Sequence, residues 1–253
     1  MIMGITASTT TKALEQAATP PHSRLRIFVN RFVFRGMLFT MGLIAVTMYK
    51  LLPNKAPVWA FARAQARNLA RLCGVRVHTR GLENLGPGPY MFVSNHQSHF
   101  DIAVLLGYLP GQNRFAAKKE LFDEPILGLV LRTMGMIPID RGDPSLAIDR
   151  LKRLKADGHS TVIFPEGTRS RDGQLMPFKK GPFVAAIQLG IPVVPVACKG
   201  AADIMPKGAY LSILPGDVEM IVMPPVPTEG LTYDDRDALL ERVRSAIAAA
   251  LAA

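Results

Sequence analysis

Cysteine is scarce: the 253 residues contain two, Cys73 and Cys198. They stand far apart without CxxC or zinc spacing, which excludes a disulfide framework and leaves buried apolar thiols in a reducing, cytosolic setting as the expectation. No HExxH string occurs and no cysteine pair lies near a histidine, so neither a metal nor another resident cofactor is expected. A GxSxG elbow is also missing, which argues against a serine hydrolase. There is no internal repeat and no nucleic-acid-binding signature. Acidic residues are nearly absent from the first 80 positions, where twelve Lys/Arg face only Glu15, whereas the rest of the chain holds 18 basic and 19 acidic side chains. The net charge of +10 is therefore entirely N-terminal and interleaved with apolar stretches. That pattern fits an anionic membrane surface better than nucleic acid.

Residues 1–23, rich in Thr, Ala and Ser and ending at Pro20-Pro21, read as a mobile tail. From Arg24 to about Leu52 the chain is at its most apolar, with 14 consecutive uncharged residues from Gly36 to Tyr49. That is short of the ~20 residues of a spanning helix, so a re-entrant or half-inserted helix is expected, with a span from Phe32 to Leu52 as the alternative if Arg35 and Lys50 snorkel. A cleavable signal peptide is disfavoured by the late apolar run. Pro53 and Pro57 end this helix, and a second is expected from Val58 to Cys73, with Arg63, Arg67 and Arg71 as a basic stripe facing lipid head groups.

From Val75 onward, strand-like and helix-like runs alternate. Strands are expected at 75–79, 90–94, 136–140, 161–164 and 193–197, with helices near 102–109, 123–134, 144–157, 181–189 and 234–253. The class is α/β, a sheet flanked by helices. Pro192 and Pro195 argue for an edge position or a strand end at 193–197.

Three strand ends carry chemistry. Asn95-His96-Gln97-Ser98-His99-Phe100-Asp101 follows an apolar strand and opens an apolar helix, the place where α/β sheets build sites. A neutral imidazole, with an unperturbed pKa of about 6.5, accepts a proton when a carboxylate fixes its tautomer. On spacing, His96 and His99 are both candidates for Asp101, and a loop in which Asn95 caps the next helix is the structural alternative. Gly135-Met136-Ile137-Pro138-Ile139-Asp140-Arg141 and Phe164-Pro165-Glu166-Gly167-Thr168-Arg169-Ser170 end two more strands on arginine, the side chain whose fork suits phosphate. Lys118 and Lys119 are read as solvent-exposed.

These blocks, with Ile191-Pro192-Val193-Val194-Pro195-Val196, resemble the four motif blocks of the glycerolipid acyltransferases of the 1-acyl-sn-glycerol-3-phosphate acyltransferase family, in the same order, over about residues 75–197. The resemblance implies an acyltransferase domain over 75–253 behind a two-helix membrane anchor over 24–74. It implies acyl transfer from acyl-CoA or acyl-carrier protein to the sn-2 hydroxyl of a lysophosphatidate, at an anionic membrane surface on the cytoplasmic face. It makes His96 the base and Asp101 its partner, and gives Arg141, Glu166, Gly167 and Arg169 to the acceptor phosphate. Another lyso-lipid, such as a lyso-ornithine lipid or a lysophospholipid, is the alternative acceptor. A hydrolase with Ser98 as nucleophile and a non-catalytic lipid-binding module are the rivals of other classes.

Overall fold

The computed structural model describes residues 21–140, 142–143, 145–170, 173–206 and 213–253. Among them, β1 (Val75–Arg80), β2 (Met91–Ser94), β3 (Arg114–Lys118), β4 (Ile137–Ile139), β5 (Thr161–Ile163), β6 (Val193–Lys199) and β7 (Gly216–Val222) form one sheet in the order β1-β7-β6-β2-β5-β3-β4. All neighbours pair in parallel except β6 and β7. The five strands β2 to β6 therefore end at one edge, and the motif loops leave from there.

Strand alternation divides the core into two layers. Phe92, Val194 and Val196 face a cluster with Leu69, Phe100, Val104 and Leu105. Met91, Val93 and Val193 face the other way, toward Leu151, Phe183, Val243 and Ile247. The first layer is made by α2 (Ala56–Leu72) and α3 (Phe100–Tyr108). The second comes from α5 (Ser145–Ala156), α6 (Gly181–Leu189) and α8 (Arg236–Ala252). In α8 the buried residues Leu239, Val243 and Ile247 recur every four positions, the spacing of one helix face. Cys73 and Cys198 are both fully buried thiols.

Several expectations need correction. Helix α1 (Pro21–Leu51) already contains residues 21–23, which were expected in the tail; residues 1–20 lie outside the described part. The helix is continuous, and Phe28–Leu51, with a mean hydropathy of 1.6, is long and apolar enough to cross a membrane by length and composition. The count stopped at Arg35, whereas helical continuity brings in Phe28, Val29, Phe32 and Phe34, so what changes is the length of the apolar stretch and not its expected half-inserted placement. Pro57 does not separate the helices but sits in the first turn of α2, where its missing N–H costs nothing.

The basic stripe of α2 is not a uniform lipid-facing surface. Arg67 donates through Nε to the Gly107 carbonyl of α3 at 2.7 Å and lies over the Tyr108 ring. Val58, Trp59, Ala62, Ala66, Leu69 and Ala70 bury the opposite face. Helix α2 is thus, through that face, a packed layer of the domain. Pro195 lies not at an edge but in the central strand β6. Its carbonyl accepts the N–H of Met223, one residue beyond the last β6–β7 pair, while Val193 and Val226 exchange both their backbone hydrogen bonds. The missing N–H of Pro195 faces the bulge at Pro224-Pro225 between those two pairs, so no ladder bond is lost.

Candidate active site

Strand β2 is buried at all four positions and stops at Ser94; the chain then turns through 95–99 into α3. Asn95 does not cap that helix. Its side chain reaches across to β6, donating to the Cys198 carbonyl and accepting the Cys198 N–H, both at 2.8 Å. The amide continues the β2–β6 pairing by one residue and fixes where the loop begins.

His96 and Asp101 meet within this loop. Nδ1 of His96 lies 3.0 Å from Oδ2 of Asp101, and the same oxygen accepts the N–H groups of Gln97 and Ser98 at 2.8 Å. Asp101 is fully buried in the first turn of α3, so these donors and the positive end of the helix stabilise a carboxylate that would otherwise be costly to bury. Its second oxygen, Oδ1, has no partner among the described residues. A carboxylate on Nδ1 holds the Nδ1–H tautomer and leaves Nε2 as the free acceptor. The ring also stacks on Phe164, with centroids 4.0 Å apart and planes 16° apart.

Geometry separates the two histidines that spacing left equal. His99, at the exposed end of the loop, has no Asp101 contact. Although the residue as a whole is exposed, partial desolvation of its ring, then the nearby Arg169 and His96, lowers its pKa to about 4.

The third motif holds the first in place because β2 and β5 are parallel neighbours, Val93 beside Ile163, and their C-terminal loops meet. His96 N–H donates to Glu166 Oε1 at 2.7 Å, and Ser170 N–H donates to the His96 carbonyl at 2.9 Å. Glu166 is almost fully buried, and its other oxygen accepts the Met176 N–H at 3.2 Å. Burial, opposed by these two hydrogen bonds, pushes the Glu166 pKa up to about 7. Glu166 therefore joins the loops at 95–97 and 173–176, with both oxygens engaged by backbone donors. Gly167 has φ +69, and a Cβ there would lie 2.7 Å from Lys179 Nζ. The positive φ is what favours glycine here, since the flexible end of Lys179 can shift to make room.

Arg169 neighbours His99 and has a partner within the protein. Arg141 lies outside the described residues; the strand leading to it, β4, ends at the same edge as β2 and β5. Beside it, Lys119 pairs with Asp140 at 2.8 Å, tying the ends of β3 and β4. Ser98 is not available as a nucleophile: its buried hydroxyl donates to the Met205 carbonyl at 2.8 Å and accepts the Phe100 N–H. Sequence reasoning missed Lys179 and Phe164 as neighbours of the site. Phe164 stood inside the third motif block, whereas nothing in the local sequence marks Lys179.

Comparison with known proteins bears on the chemistry. A family model described as Acyltransferase matches residues 76–199. The 1-acyl-sn-glycerol-3-phosphate acyltransferase alpha of Homo sapiens is 34% identical over 87% of this chain and 79% of its own length. This chain belongs to that acyltransferase family. The 1-acyl-sn-glycerol-3-phosphate acyltransferase of Saccharomyces cerevisiae is 34% identical over 85% of this chain and 77% of its own length. The chloroplastic BAT2 of Brassica napus is 44% identical, but over 58% of this chain, which spans 44% of the Brassica protein's length. In fold, the chain is similar to the crystal structure of the 1-acyl-sn-glycerophosphate acyltransferase PlsC from Thermotoga maritima. The TM-score is 0.76 at 24% identity, covering 91% of this chain and 95% of that one.

Proposed function

We propose that the protein is a 1-acylglycerol-3-phosphate O-acyltransferase, which moves a fatty acyl group from a thioester donor, acyl-CoA or acyl-carrier protein, to the sn-2 hydroxyl of lysophosphatidate and gives phosphatidic acid. The observation that carries the reading is the buried Asp101 on Nδ1 of His96, in a chain whose relatives bear the name of that activity. Nε2 of His96 takes the proton of the acceptor hydroxyl as its oxygen attacks the thioester carbonyl. The C–S bond then breaks, and the imidazolium returns its proton to the departing thiolate. Asp101 stabilises the imidazolium between these steps, and no acyl-enzyme is needed. A general base of this kind contributes about 10²–10⁴-fold.

Arg169 and Arg141 bind the acceptor phosphate, with Gly167 leaving room for the backbone and for Lys179. Glu166, engaged by two N–H groups, acts on that pocket as an organiser of its loops. A carboxylate would repel a phosphate in direct contact.

The protein works at a membrane, with α1 lying in one leaflet and the catalytic domain on the cytoplasmic face. Two features support an in-plane helix. Asn30 donates to the Ile213 carbonyl at 2.8 Å, and Gly42, Ala45 and Val46 are buried against the domain, so α1 is held to the body at points about 18 Å apart along its axis. Its other face exposes Phe28, Phe32, Phe39, Leu43 and Ile44. Incubating purified protein with lysophosphatidate, lyso-ornithine lipid and lysophospholipids, with each donor type, and identifying products by mass tests the reading. Phosphatidic acid as the preferred product supports it; preference for a phosphate-free acceptor overturns it.

A further inference from the structure

Helix α4 (Pro125–Thr133) and the turn before it leave large apolar side chains outside the fold. Leu121, Ile126, Leu127 and Leu129 are 39%, 58%, 40% and 42% exposed. The inward face of the helix is fixed by two residues one turn apart. Gly128 packs on the Phe122 carbonyl with no room for a Cβ, and the Arg132 guanidinium donates to the same carbonyl. At 3.6 residues per turn, Leu129, Ile126 and Leu127 lie on the arc opposite that face. The middle of the arc belongs to Val130, which meets α1, since a Cβ on Gly42 would come 3.1 Å from Val130 Cγ2. Gly42 lies on the buried side of α1, so Val130 packs α4 against that helix while Ile126, Leu127 and Leu129 stay exposed beside the contact, and both helices show apolar side chains next to their shared seam. The chain enters this turn from the C-terminal end of β3, the same sheet edge from which His96 leaves β2.

We propose that residues 121–129 are a second membrane-inserting element, seated in the same leaflet as α1, which holds the His96 edge of the sheet against the bilayer. This rests on the membrane reading of α1. Lipid is the occupant because the patch adjoins α1, whose apolar stretch alone among the described residues suits a bilayer. The exposed hydroxyls of that helix are satisfied internally, Thr40 to the Gly36 carbonyl at 2.8 Å and Thr47 to Leu43 at 2.9 Å, as an apolar medium requires. Glu120, Asp123 and Glu124 are exposed in the same turn and bound the depth: the outer arc enters, and the turn stays among the head groups.

The buried native thiols allow a single introduced cysteine to be labelled selectively with an environment-sensitive NBD dye. Full-length Leu43→Cys, Leu127→Cys and Tyr233→Cys are labelled, Tyr233 being exposed at the start of α8 on the other layer, and mixed with phosphatidylcholine/phosphatidylglycerol vesicles. The expected result is a blue-shifted emission and loss of iodide quenching at 43 and 127, with 233 unchanged. Shielding at 43 but not 127 overturns the second element and leaves the membrane reading standing. Shielding at neither overturns both. Shielding at 127 without vesicles, rising with protein concentration, overturns the lipid assignment in favour of a protein contact.

Discussion

The carboxylate oxygen Oδ2 of Asp101 serves His96 in two ways: it lies 3.0 Å from the ring Nδ1, and it holds the loop that carries the ring through the N–H groups of Gln97 and Ser98. Ring orientation and loop position thus depend on one atom. Asp101→Asn can keep an oxygen toward the two N–H groups only by denying His96 its full charge partner. The expected outcome is a fall in kcat of about 10²–10⁴-fold with little change in either KM, checked by steady-state kinetics on purified protein.

Ser98 distinguishes transferase from hydrolase. Ser98→Ala leaves the Met205 carbonyl and Phe100 N–H without their partner, so stability should fall by about 1–3 kcal/mol in denaturant unfolding. Acyl transfer by the folded fraction should persist. Loss of transfer with unchanged stability would return Ser98 to a chemical role.

Arg169→Ala should raise KM for the phosphorylated acceptor much more than for the thioester donor. Equal effects on both would place Arg169 outside the phosphate pocket.

Gly167→Ala forces a side chain into the left-handed region and against Lys179 Nζ. A loss of about 1–2 kcal/mol is expected from the backbone alone, read as a lowered denaturation midpoint. A neutral substitution would mean that the turn re-forms without cost.

The Glu166 pKa, raised to about 7 from an ordinary 4.5, makes a signed prediction. Between those values the folded state holds a proton that the unfolded state has released, so stability from this group is full below about pH 4.5 and is lost as pH rises through about 7. Glu166→Gln should remove that part of the decline, leaving a flatter stability profile over the same range in pH-dependent thermal melts.

Most of the sheet was legible because its buried strands are short apolar runs bounded by turns. Two strands were not. In β3, Arg114 is buried against the Trp59 ring at 4.1 Å, an arginine that looks like a strand breaker until its partner 55 positions away is known. In β7, Val218, Met220 and Val222 alternate correctly, but Asp217 and Glu219 lower strand propensity and are compensated by Arg76 and Arg80 on β1. The histidine–aspartate pair could be narrowed by spacing only to two histidines. The choice depends on how the loop turns, which Asn95 and Glu166 control through bonds to distant strands. Lys179 reaches Gly167 through a fold-back of the chain that no local pattern announces.

The central claim is that His96 is the base. The direct measurement is acyl transfer to lysophosphatidate by purified His96→Ala, with His99→Ala alongside and both confirmed folded by thermal melting. The account predicts a loss of at least about 10²-fold for His96→Ala and near wild-type turnover for His99→Ala. Turnover retained in His96→Ala, or lost in His99→Ala alone, would contradict it.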